Sequence, residues 1–329
     1  MNKNLQVFLG KNAVNFCRRF NLRLPIIQAG MVWASGPKLS AACANAGIIG
    51  TIGAGSMKPD LLASNLAKAI NLCKDKESSA RLAVNLPLLY EQVETQIDVS
   101  LNAGIKIFIT SAGSPKLWTE KLKQNGAHVF HVVSHPSLAK KCRDAQVDII
   151  IAEGFEAGGH NGREELTTMC LMRQVAHILP PNIPLVAAGG IMDAQGLMAS
   201  IMLGASAVQM GTKFLLSQES SAHERFKKLA IETPAGGTKL VLKKHIPVRL
   251  LRNTFCKQVE EMESHGASKE ELEAYLGKGR AKLGIFEGDL EQGELEIGQG
   301  HCLVKSVEDC EQIVTSLEKE LLKLAQEHS

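Results

Sequence analysis

The chain repeats one local pattern: a short run of apolar, mostly β-branched residues that stops at a glycine, a small side chain or a polar one. Eight such runs follow one another, at 25–31, 47–53, 82–86, 105–110, 128–133, 148–153, 184–189 and 205–210. They show no regular polar alternation. Runs of this kind suit strands buried on both faces, the condition of a parallel sheet. Their starts advance by about 26 residues at a time, which is the length of one strand plus a return helix. The stretches between them carry helix signals. Residues 37–46 open on proline and stop at Gly47, and 59–72, 136–145, 167–179 and 193–203 read likewise, the last stopped by Gly204.

Eight evenly spaced strand–helix units favour closure into an α/β TIM (β/α)8 barrel over an open doubly wound sheet. The texture changes after Thr212. Residues 217–230 read as helix, 233–238 as a turn, 239–248 as one short extended piece and 250–283 as charged and largely helical. Residues 288–300 are acidic and glycine-rich, which suits a loop, and 305–325 form one amphipathic helix. The expected organisation is therefore a barrel from 1–215 plus 301–329. Residues 216–300 would be a mainly helical lid inserted after the eighth strand, and the closing helix would complete the outer ring.

Composition excludes several classes. Lys+Arg 37 against Asp+Glu 34 gives a net charge of +3, spread along the chain rather than massed, so neither nucleic acid nor a membrane surface is an expected partner. No apolar run approaches the ~20 residues that span a bilayer. The first residues lack a signal-peptide core, so the expected location is the cytoplasm. The eight cysteines include no Cys-x-x-Cys pair and no ligand spacing with the ten histidines. Free, mostly buried thiols and no structural metal are expected.

Barrel enzymes work at the C-terminal ends of their strands. The seventh and eighth runs end in Ala187-Ala188-Gly189-Gly190 and Gln209-Met210-Gly211-Thr212. Glycines at both tips let backbone N–H groups approach an anion, and loops at these positions commonly hold phosphate in this fold. The sixth run ends in Glu153-Gly154-Phe155-Glu156-Ala157-Gly158-Gly159-His160-Asn161-Gly162. His160, set among four glycines, is the candidate acid–base residue. Glu153 and Glu156 read equally as supports or as solvated acids. Asn85 offers a donor and an acceptor suited to the edge of a heteroaromatic ring, and residues 110–115 are small and polar enough to line a substrate channel. These facts fit a flavin mononucleotide enzyme and a sugar-phosphate enzyme alike.

The segments Glu153–His160, Ala187–Ile191 and Leu203–Thr212, with Gln28–Trp33 and Glu219–His223, resemble the nitronate monooxygenase and enoyl-acyl-carrier-protein reductase II superfamily. The resemblance covers residues 20–230 well and the remainder loosely. It implies a TIM barrel with an inserted lid and a tightly held, non-covalent FMN. Met31, Asn85, Gly158, Gly190 and Gln209, Met210, Gly211 and Thr212 would contact the cofactor; Glu153 and Gly189 join this cofactor-binding set, and His160 would be catalytic. Nitronate monooxygenases typically carry Pro where this chain has Gly30 and Gln where it has Glu153, and the chain reads Leu166-Thr-Thr-Met169 after the histidine loop. All three features resemble the reductase. The resemblance thus implies NADH- or NADPH-dependent reduction of a trans-2-enoyl-acyl-carrier protein in type II fatty-acid synthesis. Nitronate monooxygenation or quinone reduction are the alternatives. A small-molecule or carrier-linked substrate, a monovalent activating cation and a homodimer are compatible with it.

Overall fold

The eight apolar runs are eight parallel strands in the computed structural model, which describes residues 3–327. Numbered with the three shorter strands in chain order, the first six are β1 (Ile26–Gln28), β2 (Gly50–Gly53), β3 (Leu82–Pro87), β4 (Ile107–Ser111), β5 (His128–Val133) and β6 (Ile149–Glu153). They are followed by β7 (Gly159–His160), β8 (Leu185–Ala188), β9 (Ala207–Met210), β10 (Thr238–Val241) and β11 (Val248–Leu251). The large sheet runs β1-β9-β8-β6-β5-β4-β3-β2. It closes on itself where Gln28 N donates to Ile49 O at 2.8 Å and Ile49 N donates to Ile26 O at 3.1 Å. The fold is a TIM barrel.

Strand alternation sorts the apolar residues into two layers. Ile27, Ala83, Ile109, Phe130, Ile151 and Val186 fill the barrel interior. Their chain neighbours Ile26, Val84, Phe108, Val129, Ile150 and Ala187 pack outward under the helices. Full burial of each Val, Ile or Phe among them contributes roughly 1.5–3 kcal/mol. Pro37, Pro59 and Pro136 each stand in the first turn of a helix. Gly47 (φ +87°) and Gly204 (φ +110°) supply the left-handed residues that end the helices before β2 and β9.

A helix at Lys3–Phe20 was not foreseen. Its Phe16, Cys17 and Phe20 plug the N-terminal end of the barrel, with the Phe20 and Phe130 rings 5.5 Å apart. The closing helix packs against the helices Pro37–Asn45 and Ala194–Met202, completing the outer ring. It spans Cys310–Glu327 and starts later than expected. A reciprocal pair sets its start: Gln312 N donates to Asp309 Oδ1 at 2.8 Å and Asp309 N donates to Gln312 Oε1 at 3.1 Å.

The segment after β9 differs from the expectation in several places. The helix expected at 217–230 covers only Glu224–Glu232, because Ser220 and Ser221 donate their hydroxyls to Ala34 O instead. The single extended piece at 239–248 is two antiparallel strands, β10 and β11, and β11 also pairs with β7. The helices Thr254–Ser264 and Lys269–Leu276 follow. Val241, Leu242, Val248, Leu250, Phe255 and Leu272 give this part a small core of its own. All eight cysteines are free, and Cys43 and Cys310 face each other at 3.6 Å.

Candidate active site

The C-terminal ends of the strands and the segment above them enclose a cavity of about 1110 Å³. Two glycine tips form one side of it. Gly189 (φ +98°) and Gly190 (φ +72°) follow β8 in the left-handed region. A Cβ at Gly189 would stand 2.7 Å from Gly154 O, and one at Gly190 would crowd Glu156, so both positions demand glycine. Gly211 is different: its φ is −97°, and a Cβ there would meet only Met31 Sδ at 3.5 Å and Ala29 Cβ at 3.6 Å. Thr212 Oγ1 accepts from Gly298 N at 2.9 Å, which ties the β9 tip to the covering segment.

Beside these tips, Gln209 lines the cavity with a buried Oε1 that has no hydrogen-bond partner. Buried acceptors are rarely left unpaired, so this atom marks where a ligand donor fits. Adjacent residues of a strand point to opposite faces, and Met210 accordingly packs outward into the helix layer while Gln209 faces the cavity. Asn85 lines the wall opposite, with Nδ2 donating to Ile109 O at 3.1 Å. A Cβ on Gly30 would overlap Asn85 Cβ, so glycine at 30 is what lets this amide sit there. Met31 completes that corner.

The end of β6 separates its two acids. Glu156 is committed to structure: it accepts from Thr168 N at 2.9 Å and from Thr168 Oγ1 at 3.0 Å, holding the start of the helix Thr168–Ile178. Glu153 instead lines the cavity, and burial pushes its carboxyl up to about 7. The backbone then turns through Gly158, where a Cβ would overlap Ile297, and enters β7. His160 opens onto the cavity, and the surrounding protein holds its imidazole below the ordinary value by desolvation, opposed by the charge of Glu294.

Among the cavity groups that escaped the sequence reading, four stand out by their surroundings. His131 on β5 is buried, pushed down to about 4 by desolvation, and its Nδ1 lies 2.7 Å from Thr110 Oγ1. That hydroxyl is therefore turned to His131, while Ser111–Pro115 line the cavity. Arg280 has its guanidinium occupied by Leu276 O, Gln292 O and Tyr275 O. Glu294 and Glu296 descend from the stretch read as a loop, and burial pushes both up to about 7. The alternation Glu294-Leu295-Glu296-Ile297 was the available signal: period two is a strand period. Leu251 N donates to Leu295 O at 2.8 Å, laying this stretch beside β11.

The arrangement offers an anion-compatible glycine rim, an unpaired acceptor, an imidazole and three carboxyls, one buried and two half-buried, around one cavity, a set suited to a bound ring system and a proton transfer. Comparison with known proteins agrees with that character. The chain matches the nitronate monooxygenase family model over residues 16–320. It is 35% identical over 284 residues to a probable nitronate monooxygenase of Staphylococcus saprophyticus, covering 73% of this chain and 79% of that protein. The structure of FabK from Thermotoga maritima superposes with a TM-score of 0.88 at 33% identity, covering 95% of this chain and 97% of the other. A nitroalkane oxidase from Streptomyces ansochromogenes, at 24% identity and a TM-score of 0.78 over 94% and 98% of the two chains, shares the fold. This chain belongs to the nitronate monooxygenase family, whose superfamily includes the enoyl-acyl-carrier-protein reductases II, and it is an oxidoreductase of that family.

Proposed function

We propose that the protein is an FMN-dependent reductase of a trans-2-enoyl thioester carried on acyl-carrier protein, with NADH or NADPH as the source of hydride. The observation that carries the cofactor is Gln209: its buried, partnerless Oε1 faces the cavity beside the glycine tips. A flavin offers a ring N–H for that acceptor and a phosphate for the backbone at Gly189, Gly190 and Gly211. Asn85, Met31 and Gly158 are the further residues that would hold it. The chemistry FMN supplies when bound is acceptance of hydride from the nicotinamide and its delivery to the substrate β-carbon.

The chain's own residues do the rest. Gly30 and Glu153, which stand where monooxygenases typically have Pro and Gln, favour the reductase. His160 gives a proton to the α-carbon as hydride arrives at the β-carbon. Nitronate monooxygenation is the second reading, favoured by the family match and the staphylococcal relative. In it His160 takes a proton from, or orients, the nitro compound.

One experiment separates the readings. The purified protein should be yellow, bleach with NADH under anaerobic conditions and regain colour on addition of crotonyl thioester. Little bleaching by NADH, with oxygen consumed when a nitronate is added to the oxidised protein, favours the monooxygenase. Acid release that yields no flavin defeats both. His160→Ala should keep flavin and lower turnover by ~10²–10⁴-fold.

A further inference from the structure

The stretch Leu166-Thr167-Thr168-Met169 places two hydroxyls side by side at the start of the helix Thr168–Ile178, and they face different partners. Thr167 caps the helix, its Oγ1 accepting from Cys170 N at 3.4 Å. The Thr168 hydroxyl is turned to the strand tips instead, with Gly189 O at 2.8 Å, Glu156 Oε2 at 3.0 Å and Ala188 O at 3.1 Å. It carries one proton for these three oxygens. Ala188 O also accepts from Gly154 N at 3.0 Å, and Glu156 Oε2 from Thr168 N at 2.9 Å. Gly189 O is the nearest of the three and has no other donor among the described residues. Glycine is what admits the hydroxyl: a Cβ on Gly154 would overlap Thr168 Oγ1, and one on Gly189 would stand 2.9 Å from it. The tips of β6 and β8 are packed around a side chain that belongs to neither.

A trans peptide points its carbonyl and the following N–H in opposite directions, and no peptide bond among the described residues is cis. With Gly189 O drawn toward Thr168, Gly190 N–H is turned the other way. It meets no acceptor among the described residues, and Gly190 is exposed on the cavity wall. Gly189 (φ +98°) and Gly190 (φ +72°) flank this peptide without a Cβ on either side, so sterics alone leave its plane free to turn over. A fixed partner for the carbonyl is what selects one orientation.

We propose that Thr168 is a positioning residue for the cofactor phosphate: its hydroxyl fixes the Gly189–Gly190 peptide so that Gly190 N–H is presented to a phosphate at the glycine rim. The inference rests on the reading above, in which FMN binds with its phosphate at Gly189, Gly190 and Gly211. Neither Thr168 nor Glu156 lines the cavity, so both act through the peptide and not by touching the ligand. Glu156 holds Thr168 in place, its carboxylate on Thr168 N, while its own carbonyl accepts from Gln299 N of the covering segment at 2.9 Å. On the facing tip Thr212 Oγ1 accepts from Gly298 N, which leaves the Thr212 hydroxyl proton for the same phosphate.

The test compares two ligands that differ only in the phosphate. Flavin is removed from the wild type and from Thr168→Val, Thr168→Ala, Thr168→Ser and Thr167→Val, and each apoprotein is titrated with FMN and with riboflavin by flavin fluorescence. The wild type should hold FMN more tightly than riboflavin. Thr168→Val and Thr168→Ala should each lose about 10–100-fold in FMN affinity, the worth of one hydrogen bond to a charged group, with riboflavin affinity within about threefold. Thr168→Ser keeps the hydroxyl and should restore most of the FMN affinity. Thr167→Val removes the cap of the same helix and should lower Tm without changing the FMN-to-riboflavin ratio. A ratio unchanged in both Thr168→Val and Thr168→Ala overturns the proposal and leaves Thr168 a support of the fold alone; should Thr168→Val fail to fold, Thr168→Ala decides. A ratio that falls as far in Thr167→Val also overturns it, because the helix start and not the hydroxyl would then set the rim. Wild-type protein that binds riboflavin as tightly as FMN overturns the phosphate assignment itself, and this proposal with it.

Discussion

At the scale of single residues, two glycines that look alike in sequence do different work. Gly189 sits at φ +98° with Gly154 O where its Cβ would go. Gly189→Ala therefore combines left-handed strain of about 1–2 kcal/mol with a backbone overlap. For a chain of this length that should lower Tm by roughly 3 °C or more and loosen FMN. Gly211 has negative φ and ordinary space around its Cβ direction. Gly211→Ala should leave Tm within a degree or two, and, if the proposed function holds, Gly211→Asp should lose FMN while the apoprotein stays folded, because a carboxylate would then stand where that proposal puts the phosphate. Calorimetry and flavin absorbance after gel filtration read both effects. Retention of FMN by Gly211→Asp would place the phosphate elsewhere. Met210 shows the complementary lesson: proximity in a motif does not put a side chain in a site, because strand parity sends it to the opposite face from Gln209.

Among elements, the barrel strands were legible because burial on both faces leaves an unbroken apolar run, and little else produces eight of them in register. The helix Lys3–Phe20 escaped although Leu5, Leu9, Ala13, Phe16 and Phe20 recur at helical spacing, because Gly10 (φ +76°) breaks it in the middle. The site was half legible. Residues carried by glycine-rich strand tips announce themselves, whereas Glu294 and Glu296 lie in a glycine-rich acidic stretch whose neighbour β11 is 43 or more residues earlier in the chain. The alternation over 294–297 is too short to stand out beside the flanking glycines, and pairing with β11 is what lays the stretch out as a bridge. Arg249 holds the junction: Nε donates to Phe155 O at 2.9 Å, and the guanidinium lies 5.1 Å from the Phe155 ring. Arg249→Met keeps the aliphatic stem and removes the hydrogen bond that fixes the turn leading to His160. It should lower kcat by about tenfold while FMN content and the circular dichroism spectrum hold, since a small misplacement of a catalytic group is costly to rate. Unchanged kcat would show that β7 is held by its ladder alone.

The whole molecule carries two kinds of core, and this bears on how it unfolds. The closing helix belongs to the barrel: Leu317 and Leu321 are at most 1% exposed within the layer under the helices, and Arg23, just before β1, reaches Glu318 at 2.7 Å and Glu311 at 2.6 Å. The part that contains β10, β11 and the two helices after them has its own core around Leu272, which is 0% exposed. A second cluster, with Met192, Leu215, Phe226 and Ile297, joins the covering segment to the barrel. If these cores are separate cooperative units, the same substitution must have different reach in each. Leu317→Ala and Leu272→Ala each remove a fully packed side chain, at a local cost of roughly 2–5 kcal/mol. Leu317→Ala should lower the Tm of the main transition and speed hydrogen exchange across all eight barrel strands. Leu272→Ala should leave that transition within about a degree and speed exchange only over residues 238–297, with FMN and substrate analogue restoring part of the protection. Equal loss of barrel protection in both variants would mean that the covering segment and the barrel unfold as one body, and that access to the cavity does not depend on local opening above it.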